Sequence, residues 1–186
     1  HLRGFSTPIK RPCLNYKEKN MSIALIIIAA GKGTRMNSDL PKVLHEVAGA
    51  PLLVHAMKSG ANLEPDRTVV VAGHGFDAVK AAALDYDETA EVVLQEEQKG
   101  TGHAVMVTRE ALAGFSGDVF VLFGDTPFVN PDTLDRMIAA KGDNAVVVLG
   151  FHGNTSEKYG RLVMDGEMLD AIVEYADATD EQRAIS

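Results

Sequence analysis

Cysteine occurs once in the 186 residues, at Cys13, and tryptophan not at all. One cysteine excludes an intramolecular disulfide framework and a cysteine-cluster zinc site, and it fits a cytoplasmic setting. Basic residues are scarce too: 18 Lys and Arg stand against 26 Asp and Glu, a formal net charge of −8. A general nucleic-acid binder usually carries a basic face, so the balance argues against that class. A small phosphorylated ligand needs only a few local cations and stays open. No apolar run approaches the roughly 20 residues of a membrane-spanning helix. The longest, Ile23 to Ala30, suits a buried strand. Apolar residues make up 46% of the chain, enough to offset the entropy of ordering it and build a core.

Residues 1–20 differ from the rest. They hold five basic residues (Arg3, Lys10, Arg11, Lys17, Lys19) and one acid, Glu18, so the acidic excess sits in residues 21–186. This stretch is expected to be an unstructured basic tail; a targeting peptide is the other reading. From Met21 onward apolar runs alternate with helical patterns. Ile23–Ala29, Val69–Ala72, Val92–Leu94, Val119–Phe123 and Ala145–Leu149 read as buried strands, because near-continuous apolar runs suit a sheet covered on both faces. Leu53, Ala56, Met57 and Gly60 follow helical spacing, and Thr101–Leu112 reads as a second helix. Asn130-Pro131-Asp132 opens a third with a cap residue, a first-position proline and an acid. Shorter helices are expected within Phe76–Ala83 and Ala178–Ala184. Gly160–Met164 and Met168–Glu174 read as a hairpin across Asp165-Gly166. The alternation predicts an α/β fold, Rossmann-like and doubly wound, with a mostly parallel sheet.

Ligands of open α/β sheets bind beyond the carboxyl ends of the strands, and three such ends carry unusual residues. After the first strand, Ile28-Ala29-Ala30-Gly31-Lys32-Gly33-Thr34-Arg35-Met36 leads to Pro41-Lys42-Val43. Glycines there let backbone N–H groups approach phosphate oxygens, and Lys32, Arg35 and Lys42 supply cations. The P-loop pattern fails because Thr34 follows Gly33, and the dinucleotide fingerprint fails at Met36. A flexible glycine turn with solvated charges is the plainer alternative. Asp125, in Phe123-Gly124-Asp125, suits Mg²⁺ bridging phosphates, or simply forms a turn before Pro127. In Gln95-Glu96-Glu97-Gln98-Lys99-Gly100-Thr101-Gly102-His103, Gln95 can pair with a base edge. Gly100 allows close approach and Thr101 can cap a helix. His103 is expected to face the core or a neighbouring helix. No G-x-S-x-G elbow occurs, so Ser/His/Asp catalysis lacks support.

Together these stretches resemble a known family. Ala29 to Lys42 is similar to the signature of the sugar-nucleotide pyrophosphorylases. Further stretches resemble their bacterial N-acetylglucosamine-1-phosphate uridylyltransferase branch: Asp39–His45, Gln95–Ala104, Tyr159–Arg161, Ile172–Glu174 and Asp177–Arg183. The resemblance runs in order from Ser22 to Arg183. It implies a nucleotide-diphospho-sugar transferase fold and an enzyme of the nucleotidyltransferase class. The implied reaction joins UTP and N-acetylglucosamine 1-phosphate, giving UDP-N-acetylglucosamine and pyrophosphate, in the supply of precursors for peptidoglycan and lipopolysaccharide. Transfer to another sugar 1-phosphate, or a catalytically silent nucleotide-binding module, remains the alternative.

Site residues follow by the same resemblance. Arg35 and Lys42 would be the catalytic pair facing the phosphates. Ile28, Ala29, Ala30, Gly31, Gln95, Gly100, Thr101, Phe123, Gly124 and Asp125 would contact the nucleotide, with Asp125 the Mg²⁺ ligand. Gly160 and Glu174 would line the sugar pocket. The family's pattern continues beyond Ser186 with asparagines for the sugar and the metal, and usually with a trimer-forming acetyltransferase domain. The domain at residues 21–186 is therefore expected to be incomplete at its C-terminus, and a homotrimer is expected of the longer protein.

Overall fold

The computed structural model describes residues 21–31, 33, 36, 38–153 and 158–186. The basic tail, Lys32, Thr34 and Arg35 lie outside the described residues. Contacts divide the chain into two compact units, one reaching to Arg136 and the other Met137–Ser186.

The first unit is organised around strand β1 (Ile23–Ala29), whose side chains are nearly all buried. Its element order continues through short strands β2 (Glu46–Val47) and β3 (Ala50–Pro51), helix α1 (Leu52–Ala61), strand β4 (Arg67–Ala72) and helix α2 (Phe76–Tyr86). Strand β5 (Glu91–Leu94), helix α3 (Thr101–Met106), strand β6 (Asp118–Phe123) and helix α4 (Pro131–Lys141) follow, with α4 running across the division. Strands β5, β4, β1 and β6 lie in that order, and every pairing is parallel. Ile26 of β1 faces Val69 on one side and Val121 on the other.

Alternation of side chains along β1 sends successive residues to opposite faces. Leu25 packs under α1, where a Cβ on Gly60 would come 2.3 Å from Leu25 Cδ2. Ile26 and Ala30 form a cluster with Val71 and with Ala104 of α3. Helices thus cover both faces of β1, the doubly wound arrangement. Leu53, Ala56, Met57 and Gly60 are the buried residues of α1, as their spacing predicts. Asn130 Oδ1 accepts from the Asp132 N–H at 2.9 Å and caps α4.

Three expectations are corrected. Ala145–Leu149 forms no strand: an apolar run needs a hydrogen-bonded neighbour, and among the described residues nothing pairs with it, leaving Val146 73% exposed. Strand β6 is not covered on both faces, because Val119, Val121 and Phe123 alternate outward on an edge strand. Helix α3 stops at Met106 rather than continuing to Leu112. Beyond it the Thr108 hydroxyl donates to the Val105 carbonyl at 2.7 Å, and the backbone goes on as turns. Such side-chain bonds compete with the helical ladder.

The second unit contains the antiparallel hairpin β7 (Arg161–Asp165) and β8 (Met168–Val173), followed by helix α5 (Asp180–Arg183). Gly166 takes a left-handed φ of 61° at the turn. Arg161 and Arg183 place their guanidinium groups 5.5 and 5.2 Å from the Tyr175 ring. Thr179 and Gln182 form a reciprocal capping box at the start of α5. A purely local helix cap therefore accounts for two residues of the Asp177–Arg183 stretch.

Two substitutions test this frame. A Cβ at Gly117 would sit 2.2 Å from the Ser22 backbone oxygen, where β6 joins β1. Gly117→Ala is expected to destabilise the chain by about 1–3 kcal/mol in urea denaturation, because backbone cannot yield as a side chain can. Thr179→Ala should remove about 1 kcal/mol and speed exchange of the Gln182 amide hydrogen, which the Thr179 hydroxyl accepts.

Candidate functional site

The carboxyl ends of β1, β5 and β6 open onto one cleft of about 330 Å³. The chain leaves β1 towards β4 on one side and returns to β6 on the other. That reversal of strand order is where open α/β sheets hold their ligands. Ile28, Ala30, Gly31, Lys42, Gln95, Gly100, Thr101, Phe123 and Asp125 all line this cleft, with Val43, Gln98 and Ala104. Residues expected from three separate stretches of sequence are thus brought together. Ala29 is buried beside them, 2% exposed, and Gly124 packs at the cleft floor.

The floor is built for close approach. A Cβ on Gly124 would lie 3.2 Å from the Ile28 oxygen and 3.3 Å from Val43 Cγ1. Gly31 faces open space, with nothing within 4 Å of an added Cβ. Small residues here leave room over the backbone that larger ones would fill.

Lys42 is held by local anchoring. It starts a 3-10 turn, Lys42–Leu44, in which Val43 and Leu44 are buried. Pro41 before it is buried and seats against Gly75, whose added Cβ would be 2.3 Å from Pro41 Cγ. Gly75 has a φ of 68°, which favours glycine independently. From this anchor Lys42 Nζ donates to Asp125 Oδ2 at 2.7 Å. The two side chains are 39% and 34% exposed. At such exposure the pair contributes under about 1 kcal/mol to stability, so the fold depends little on it. It does hold one cation and one carboxylate at the mouth of the cleft.

Gln95 is 4% exposed, and its backbone N–H donates to the Ala72 oxygen at 2.8 Å. Its Nε2 lies 3.2 Å from the Gly100 oxygen and 3.0 Å from His103 Nδ1. His103 therefore turns towards Gln95 rather than only towards the core. Thr101 does not cap α3. The cap position falls one residue earlier, on Gly100, whose φ of 92° needs no side chain, and no side-chain cap bond forms. Gln98 went unnoticed in the sequence: its Nε2 donates to the Ala30 carbonyl, tying the loop after β5 to the end of β1. A second amide three residues after Gln95, in a loop ending at glycine, was the available signal.

Gly160 and Glu174 belong to the second unit. They are neighbours there, an added Gly160 Cβ being 3.8 Å from Glu174 Oε2. Arg35 lies outside the described residues.

Among the described residues no group of three or more His, Cys, Asp or Glu could enclose a metal ion. Asp125 is a single hard carboxylate at a ligand-accessible edge. That donor set fits a cation such as Mg²⁺, which keeps waters and takes phosphate oxygens beside one or two carboxylates. No helix among the described residues is long and apolar enough to cross a membrane.

Comparisons with known proteins agree with this geometry. The model of the MobA-like NTP transferase domain matches residues 25–186. Bifunctional protein GlmU of Ruegeria pomeroyi is 65% identical over 165 residues, covering 89% of this chain and 37% of that protein. The chain thus spans a little over a third of the length of that relative. A UDP-glucose pyrophosphorylase complexed with UDP-glucose superposes with a TM-score of 0.64 at 21% identity, covering 85% of this chain and 72% of that one. Rv0371c of Mycobacterium tuberculosis H37Rv, in complex with manganese, gives 0.53 at 25% identity over 66% and 60% of the two chains. With an all-parallel core sheet, a cleft at its strand ends and a family match from residue 25 to the last, the chain belongs to the MobA-like NTP transferase domain family.

Proposed function

We propose that the chain carries the nucleotide site of a sugar-1-phosphate uridylyltransferase, joining UTP and N-acetylglucosamine 1-phosphate into UDP-N-acetylglucosamine and pyrophosphate. The observation that carries this is the Lys42–Asp125 pair at 2.7 Å, set at the mouth of a cleft that Gln95, Gly100 and Gly31 also line. The 65% identity to a GlmU protein supports sugar-phosphate nucleotidyl transfer, and the base and sugar follow from the sequence resemblance.

The base lies at the Gln95 and Gly100 end of the cleft, and the ribose and phosphates run over Ile28–Gly31. Thr101, Phe123 and Gly124 bound the same space. Lys42, with Arg35 from the glycine loop, neutralises the triphosphate. Gly160 and Glu174 serve the sugar. A phosphate oxygen of the sugar phosphate attacks the α-phosphorus of UTP in line. The new P–O bond forms as the bond to the β-phosphate oxygen breaks, and pyrophosphate leaves with its electron pair. The substrate brings its own nucleophile, so the protein aligns two anions and offsets their charge. Asp125 would hold Mg²⁺, which when bound supplies further neutralisation of the phosphates.

Lys42 and Asp125 cannot remain a closed pair in this scheme. With ligand bound, Lys42 would face phosphate and Asp125 would hold the cation. The longer protein of this family branch is proposed to be a cytoplasmic homotrimer.

Lys42→Ala is expected to lower pyrophosphate release from UTP and N-acetylglucosamine 1-phosphate by about 10²–10³-fold, with the melting temperature almost unchanged. Full activity in that variant sinks the phosphate role. Asp125→Asn should weaken Mg²⁺ or Mn²⁺ binding in the presence of UTP, read by calorimetric titration. Preference for GTP over UTP in the same titration defeats the uridine assignment, and a uridylylated protein side chain trapped in turnover defeats direct transfer.

A further inference from the structure

We infer that His103 is a positioning residue for base selection: it holds the Gln95 amide so that Oε1 alone is offered to a ligand. The cleft then takes a nucleobase presenting a ring N–H donor and rejects one presenting a ring-nitrogen acceptor. The inference rests on the nucleotide reading above and deepens it.

The argument starts at Gly100. Its carbonyl oxygen can only accept, so the group facing it at 3.2 Å must be the NH₂ end of the amide. This fixes which way the Gln95 amide points. The same Nε2 lies 3.0 Å from His103 Nδ1. Nε2 has two hydrogens and no lone pair to offer, so Nδ1 must accept. This contact assigns the His103 ring proton to Nε2.

Both amide hydrogens are now committed within the protein. Oε1 has no hydrogen-bond partner among the described residues, and the residue as a whole is only 4% exposed. Gln95 lines the cleft. A free amide can donate to one base and accept from another by turning over. Pinned at Nε2 by two acceptors, Gln95 can only accept. Uracil presents N3–H to such an oxygen, whereas cytosine presents a bare N3 lone pair. An unpaired buried oxygen against that lone pair is the kind of mismatch that binding sites reject strongly.

His103 acts through Gln95 and touches no reacting atom. Remove its ring, and Gly100 alone restrains the amide. One amide hydrogen is then free, and selection between donor and acceptor edges weakens.

Two measurements on the 186-residue chain test this. In ¹⁵N NMR of the histidine-labelled, ligand-free protein at neutral pH, His103 should show an unprotonated Nδ1 and a protonated Nε2. Calorimetric titration with UTP and with CTP should show a preference for UTP. His103→Ala should cut that UTP-over-CTP ratio about tenfold. His103→Asn, whose Oδ1 can stand in for Nδ1, should restore most of it. In a Gln95→Ala background, His103→Ala should have no further effect on the ratio. An Nδ1–H tautomer, or a wild-type ratio in His103→Ala, overturns the positioning role. A wild-type chain that binds neither nucleotide overturns the nucleotide reading itself, while the tautomer still reports on the amide's orientation.

Discussion

The pairing of β1 with β4 on one edge and β6 on the other is the constraint on which the rest of the first unit depends. Ile23 to Ile27 are at most 1% exposed. Burying such side chains stabilises by about 1.5–3 kcal/mol each relative to leaving them in water. A strand that apolar can only sit in the middle of a sheet with helices on both faces. Once it sits there, its carboxyl end must emerge between its two neighbours. Ala29, Ala30 and Gly31 are therefore delivered to the base of the cleft by core packing.

Each remaining part of the site hangs from that end. Gly124 follows β6 and packs on the Ile28 oxygen, which places Asp125. Gln98 reaches back from the loop after β5 to the Ala30 carbonyl. Lys42 is carried by a turn whose apolar residues are buried and whose preceding proline seats on Gly75. Fold stability and site geometry are thus supplied by different residues. Backbone and small side chains set the space, and a few half-exposed charges occupy its rim.

Much of this was legible in the sequence because strong patterns had strong physical causes. The bounds of β1 follow from an uninterrupted apolar run, and α1 from four residues at helical spacing that all prove buried. The Asn130-Pro131-Asp132 start of α4 follows from capping chemistry. Residues brought to the cleft carried local signs: glycines, a lone aspartate after a strand, and a glutamine before Gly100. Where the sequence misled, the deciding contact was distant or subtle. Ala145–Leu149 is as apolar as a strand, but pairing depends on a neighbour that composition does not reveal. The orientation of His103 depends on a glutamine eight residues earlier and across a turn. Gln98 carried no apolar pattern to mark it, and its partner lies 68 residues away.

The order of strands has a consequence for how the chain must assemble. The inner sheet does not follow chain order, since β6, the last of its four strands in the sequence, pairs with β1, the first. Lys42 and Asp125 are 83 residues apart, and their contact needs β6 in place beside β1. Without β6, the wholly apolar β1 presents an open edge of unpaired amides and carbonyls, the feature that invites aberrant association between chains. Synthesis from the N-terminus exposes this edge for as long as residues 118–123 have not emerged. The same central placement that gives the cleft its floor therefore leaves β1 with an unpaired edge in a nascent chain that lacks β6.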